Sequence, residues 1–240
     1  MFRKRKGIIL EYTAALFDFD GTLANSNELI NRTHYTVLEE LFPGKYTMES
    51  VRQFNGPSLD EVYGTLIPDR KQEIITKYRQ LNSELHDEMI TLFNGVKEEL
   101  TLLKEKGVKL AIVSTKRNDM IERGIKVLGL ENLFSVVIGS YSYSHYKPDP
   151  EPVYRALAEL NVPHNQAVMI GDNTHDIESA TNAGIPSIFV EWSQKTLKEI
   201  EPYEPTYTVK NMRALSAIIL GENMNKQIQH EEVPSQCKNK

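Results

Sequence analysis

The chain has 240 residues, 40% of them hydrophobic and 25% charged, which is an ordinary globular composition with enough apolar material for a large core. A formal net charge of −5 argues against a nucleic-acid partner, and no stretch approaches the roughly 18 consecutive apolar residues of a membrane span. The single cysteine, Cys237, excludes an internal disulfide and a cysteine metal site, and a cytoplasmic location is expected.

In chain order, residues 1–7 are basic, and the apolar run Ile8-Ile9-Leu10 stops at Glu11, too soon for a secretory signal. The beginning therefore reads as a solvated leader. Residues 14–18 form a short apolar run that stops at Asp18, the pattern of a buried parallel strand with a polar residue at its carboxyl end. About ninety residues follow before the next such strand, far more than one crossover helix needs. Their periodicity predicts a helix over 26–42, with Leu29, Ile30, Val37, Leu38 and Leu41 as its apolar stripe. A short helix after Thr47, one opened by the capping-box pattern Ser58-Leu59-Asp60-Glu61, and another over 69–92 complete the segment. Residues 25–92 thus read as an all-helical cap inserted into the core.

Strands are predicted again at 109–114, 135–139, 167–172 and 186–190, separated by helical patterns at 94–106, 119–128, 151–160 and 174–183. Strands alternating with helices define an α/β fold: a Rossmann-like parallel sheet with helices on both faces, built from residues 1–24 and 93–221. Residues 222–240 are polar and aperiodic and read as a flexible tail. Such sheets bind ligands at the carboxyl ends of their strands, where Asp18, Ser114 and Asp172 fall. Met48, Met89, Met120 and Met169 read as core filling, and His34, His145 and His175 as packing, surface or structural residues.

The sharpest signal is Asp18-Phe19-Asp20-Gly21-Thr22 directly after the first strand. Two carboxylates two residues apart repel each other unless a cation or a proton intervenes. With Ser114 ending the second core strand, Lys147 ahead of Pro148-Asp149-Pro150, and Gly171-Asp172-Asn173-Thr174-His175-Asp176, the chain resembles the haloacid dehalogenase-like superfamily. That resemblance implies a phosphohydrolase with Asp18 as the nucleophile that becomes an aspartyl-phosphate. It implies Asp20 as general acid and base, and Lys147 as the fixed positive charge facing the transition state. Ser114, Thr115, Gly21 and Thr22 would surround the phosphoryl oxygens. Magnesium suits a set of hard oxygen donors, and the implied ligands are Asp18, the Asp20 carbonyl and Asp172. Asp176 either joins them through water or holds Lys147.

Substrate choice falls to the insert. Asn55-Gly56-Pro57-Ser58-Leu59 joins two helices and reads either as an anion site at a helix start or as a tight turn. Lys116 and Arg117 stand after Ser114-Thr115 and either grip a second phosphate or lie at the surface. Asn27-Glu28-Leu29-Ile30, Pro43-Gly44-Lys45-Tyr46, Gly56-Pro57-Ser58-Leu59 and the segment 147–153 are similar to a branch of bacterial pyrophosphatases close to the phosphoglycolate phosphatases. The resemblance implies inorganic pyrophosphate as substrate, with phosphoglycolate or a nucleoside monophosphate as the alternative. A receiver-type phosphoacceptor domain needs about half this length, and no Gly-x-Gly-x-x-Gly marks a dinucleotide site.

Overall fold

The computed structural model describes residues 11–192 and 194–222; the leader, most of the polar tail and Cys237 lie outside them. Strand β1 (Ala14–Phe17) leads through the short β2 (Ala24–Asn25) into three helices, α1 (Asn27–Leu41), α2 (Leu59–Leu66) and α3 (Lys71–Met89). The chain returns along β3 (Thr91–Leu92), which pairs antiparallel with β2. It continues through α4 (Val96–Glu105), β4 (Lys109–Arg117), α5 (Asn118–Val127), β5 (Val136–Ser140), α6 (Glu151–Leu160), β6 (Ala167–Gly171) and α7 (Thr174–Ala183). The described chain closes with β7 (Ser187–Val190), the one-turn α8 (Leu197–Ile200), β8 (Tyr207–Val209) and α9 (Met212–Ile219).

Six strands form one parallel sheet in the order β5-β4-β1-β6-β7-β8. The five predicted strands are all present, and β8 extends the edge beyond them. The central strands are apolar on both faces. Ala15 and Phe17 of β1 join Leu110 and Ile112 of β4 and Val168 and Ile170 of β6 in the cluster covered by α4, α5 and α9. Their neighbours Ala14, Leu16, Ala111, Val113, Ala167 and Met169 face α6 and α7 in a second cluster. This two-sided burial explains why these strands read as continuous apolar runs instead of alternating ones.

The helices between β2 and β3 bury a core of their own, including Val37, Leu38, Val51, Val62, Tyr63, Ile74, Ile75 and Tyr78. Ser58 caps α2 by accepting from the Glu61 N–H at 3.2 Å. The segment after Thr47 is a 3-10 turn over Ser50–Phe54 and not an α-helix, although the Thr47 hydroxyl does accept from the Ser50 N–H at 3.1 Å. Met169 is fully buried, but Met48 is 43% exposed and fills no core. It lies in the turn that precedes that 3-10 segment, outside any apolar stripe. Met89 and Met120 are half-buried, and Met120 lines the cleft described next. Among the described residues no helix is long and apolar enough to cross a membrane.

Candidate active site

β1 lies between β4 and β6, so the chain just beyond it emerges where the strand order switches direction. Phe17 pairs in register with Ile112 and Ile170, which brings Asp18, Ser114 and Asp172 to the same edge. The turn after Asp18 needs glycine: Gly21 has φ +79, and a Cβ there would stand 2.3 Å from Asp172 Oδ2. The buried Thr22 hydroxyl donates to Asp172 Oδ1 at 3.2 Å, and the Trp192 indole N–H holds the Thr22 carbonyl at 3.0 Å.

Lys147 reaches this edge from the loop before α6 and is 3% exposed. Its ammonium donates to Asp18 Oδ1 at 3.0 Å, Asp176 Oδ1 at 2.5 Å and the Val113 carbonyl at 3.0 Å. The other Asp176 oxygen accepts from the Asn173 N–H at 3.0 Å, and the Asn173 side chain caps α7 in return. With both oxygens engaged, Asp176 is placed to hold Lys147 and the start of α7.

Ligand oxygens of Asp18, Asp172 and Asp176 lie within 4.8 Å of one another. Burial pushes the Asp18 carboxyl up to about 6; Lys147 opposes the shift, while Asp176 and Asp20 add to it. Asp172 is held well above the carboxylate range by burial and then by Asp18 and Asp176. Burial pulls Lys147 down, but Asp176 and Asp18 outweigh it and keep the ammonium charged. Once ionised, three carboxylates against one lysine leave two negative charges unbalanced, which is the charge of one divalent cation. The donor set is hard oxygen throughout, so the residues fit magnesium.

Asp20 stands apart from this cluster. Its Oδ1 accepts from the Ser26 hydroxyl at 2.6 Å and from the Lys116 ammonium at 2.9 Å. Lys116 is thus committed to Asp20 and leans toward the Phe19 ring, 5.6 Å from its centroid. Arg117 pairs with Asp119 at the rim of the cleft. Ser114 is buried, its carbonyl held by the Tyr143 hydroxyl at 2.8 Å, and Ser114 and Thr115 line the cleft beside Asp18 and Asp20.

The insert forms the opposite wall. Gly56 has φ +104, and a Cβ on it would sit 2.2 Å from the Asn173 amide, so the 55–59 turn packs directly on the strand-end motif. The Asn173 amide donates to the Asn55 carbonyl at 3.0 Å, and the Asn55 amide bonds Asn31 and Gln194. Ser58 lines the same wall. Residues that sequence reasoning missed complete it: Asn82, Arg79 and Tyr78 from α3, and Tyr146 from the loop before α6. His34 also lines the cleft while packed among the Phe54, Tyr63 and Tyr78 rings. Its partner is the Tyr63 hydroxyl at 3.0 Å, and burial lowers its pKa to about 3. His145 is exposed and bonded to Glu151, and the Nδ1 atom of His175 is buried without a partner.

The fold and this strand-end arrangement agree with the similarity to known proteins. The haloacid dehalogenase-like hydrolase family matches over residues 15–190. A protein of Listeria welshimeri named Pyrophosphatase PpaX is 42% identical over 88% of this chain and 97% of its own length. Its namesake in Bacillus velezensis is 39% identical over 85% of this chain and 94% of its own. The structure of a haloacid dehalogenase-like family hydrolase from Streptococcus pneumoniae superposes with a TM-score of 0.78 at 25% identity, covering 86% of this chain and 98% of that one. The chain belongs to the haloacid dehalogenase-like hydrolase family.

Proposed function

We propose that the chain is a magnesium-dependent phosphatase that works through an aspartyl-phosphate on Asp18, with inorganic pyrophosphate as its preferred substrate. The observation that supports the chemistry best is the division of four carboxylates into two groups at one strand edge. Asp18, Asp172 and Asp176 cluster around Lys147, whereas Asp20 is turned away and held by Ser26 and Lys116. The first group suits nucleophile and cation, the second suits proton transfer.

Asp18 attacks the phosphorus, and the bond to the leaving oxygen breaks as Asp20 delivers a proton to that oxygen. In the second step Asp20 takes a proton from water, the water oxygen bonds to phosphorus, and the Asp18 carboxylate departs. Lys147 stays beside Asp18 throughout and offsets charge on the phosphoryl oxygens. The Ser114 hydroxyl and the backbone around Thr115, Gly21 and Thr22 orient the phosphoryl group. When bound, magnesium supplies positive charge that removes the repulsion between Asp18 and an anionic substrate. Asp18, the Asp20 carbonyl and Asp172 would hold it.

The preference for pyrophosphate rests on two relatives with that activity in their names, which match nearly their whole length, insert included. Phosphate release with magnesium, measured for pyrophosphate, phosphoglycolate, nucleoside monophosphates and an aryl phosphate, tests it. Pyrophosphate should give the highest kcat/KM, and Asp18→Asn should lower every rate by at least about 10⁴-fold. A monophosphate ester that outruns pyrophosphate would overturn the substrate, and an active Asp18→Asn variant would overturn the mechanism.

A further inference from the structure

Three cationic side chains line the cleft among the described residues: Lys116, Arg117 and Arg79. Two are already neutralised. Lys116 is paired with Asp20 at 2.9 Å, and Arg117 with Asp119. Asp60, an acid on the same wall, is paired with Lys71 at 2.9 Å. Arg79 differs from both other cations. Among the described residues it forms no ion pair, and its Nε is shut away from solvent without an acceptor. A guanidinium in a cleft with an idle donor is suited to a bidentate oxyanion.

Its position is also supported from the core. The Arg79 guanidinium lies 5.8 Å from the centre of the Tyr141 ring, and Tyr141 belongs to the loop after β5. Tyr141 adopts φ +76, a left-handed conformation uncommon for an aromatic residue, while its side chain remains 69% exposed. No apolar burial accounts for holding the ring there. A turn closed by the Ser142 N–H on the Gly139 carbonyl at 3.1 Å sets the Tyr141 backbone, and the ring it presents steadies the guanidinium while leaving its N–H fork free.

We propose that Arg79 binds the second anionic group of the substrate, the one beyond the phosphoryl group transferred to Asp18, and that Tyr141 is its positioning residue. This rests on the reading of the cleft as a phosphatase site and extends it. Selection for a diphosphate, or for a monoester with a carboxylate, resides in one arginine of α3. Lys116, beside the acid–base carboxylate, serves the reacting end.

The test compares kcat/KM for two substrates with a second anion, pyrophosphate and phosphoglycolate, against an aryl phosphate without one. Wild type should favour the better of the two substrates with a second anionic group over the aryl phosphate. Arg79→Gln should cost that substrate about 10- to 100-fold, mostly in KM, and the aryl phosphate only a few-fold. Arg79→Lys should restore part of the loss. Tyr141→Gly, which keeps the backbone comfortable and removes the ring, should raise KM for the substrate with a second anionic group about threefold with little change in kcat. Equal losses on both kinds of substrate, or none, would overturn the proposal. So would a wild-type enzyme without preference for a second anion. A wild type that prefers phosphoglycolate over pyrophosphate would overturn the pyrophosphate reading and leave the role of Arg79 intact.

Discussion

The sheet edge and the helical insert face one cleft with opposite physical chemistry. The edge is charged and closed on itself: Asp18, Asp172, Asp176 and Lys147 are largely buried and bonded mainly to one another, on strands with fully apolar flanks. Apart from Arg79 and the paired Asp60, the insert offers neutral aromatic and amide groups, His34, Tyr78, Asn55 and Asn82, over a core that already contains a buried imidazole and two buried phenols. A rigid charged edge can perform one reaction on any phosphoryl group. A wall of hydrogen-bonding groups on three helices can change its selectivity with one substitution and leave the chemistry alone. The first region should therefore answer to charge, the second to pH and packing.

The largest expected effect breaks the charged edge. Lys147→Met leaves three clustered carboxylates with no cation in the protein. It should cost about 3–5 kcal/mol of stability without magnesium, a fall in Tm on the order of 10 °C, together with nearly all activity. Thermal unfolding with and without magnesium reads it, and magnesium should recover part of the loss. Unchanged stability would mean that the cluster is not held together by this lysine. Next in size is the metal itself. Magnesium at about 100 times its Kd should stabilise wild type by roughly 2.7 kcal/mol, and Asp172→Asn should abolish most of that shift. An equal magnesium effect in the variant would place the cation elsewhere.

The insert should respond to acid. The His34 pKa falls from 6.5 to about 3 because burial disfavours its charged form. The unfolded chain therefore binds this proton more readily than the folded one. The contribution of neutral His34 is complete above pH 6.5 and is lost as pH drops toward 3. Between pH 7 and 5 the loss should be about 2 kcal/mol, and buried His86 shifts in the same direction. Denaturant unfolding at the two pH values should show this slope, and His34→Gln should flatten it. Hydrogen exchange should place the acid-sensitive opening in α1 and α3. A slope unaltered by His34→Gln would assign the acid sensitivity to His86 instead, because the raised Asp18 and Asp172 carboxyls act in the opposite direction.

The difference between the regions also explains what could be read from the sequence. Asp18, Ser114 and Asp172 were legible because a parallel strand fixes the position of the residue that follows it, so each motif carries its own geometry. The central sheet was legible for the same reason, since two-sided burial leaves uninterrupted apolar runs. Strand β8 was not, because Tyr207-Thr208-Val209 is three residues long and only its last residue is buried. Arg79 and His34 were missed as cleft residues because a helical side chain reaches the cleft only by virtue of how its helix docks. A faint signal existed. Arg79 follows Ile75 by four residues on the apolar stripe of α3, and His34 lies four from Ile30 and four from Leu38 on that of α1. Gln194 had no signal, standing in a polar turn with no periodicity.

Gln194 marks the smallest and most discriminating effect. Its side-chain oxygen accepts from Arg52 at 3.1 Å and from the Asn55 amide at 3.2 Å, joining the turn of the insert to the loop after β7. β2 and β3 are the two crossings between insert and sheet, paired over only two residues each, so swinging there would cost few backbone bonds. If the insert closes on the sheet during turnover, contacts such as these favour the closed form and matter little to the folded state as a whole. Gln194→Ala should therefore leave unfolding stability within about 0.5 kcal/mol of wild type. It should raise KM severalfold for every substrate alike, which separates it from Arg79, where the loss depends on the second anion. Steady-state kinetics on pyrophosphate and an aryl phosphate, read beside hydrogen exchange at β2 and β3, decides it. A loss confined to one substrate would make Gln194 part of substrate recognition, and an unchanged KM would show that the turn stays docked without it.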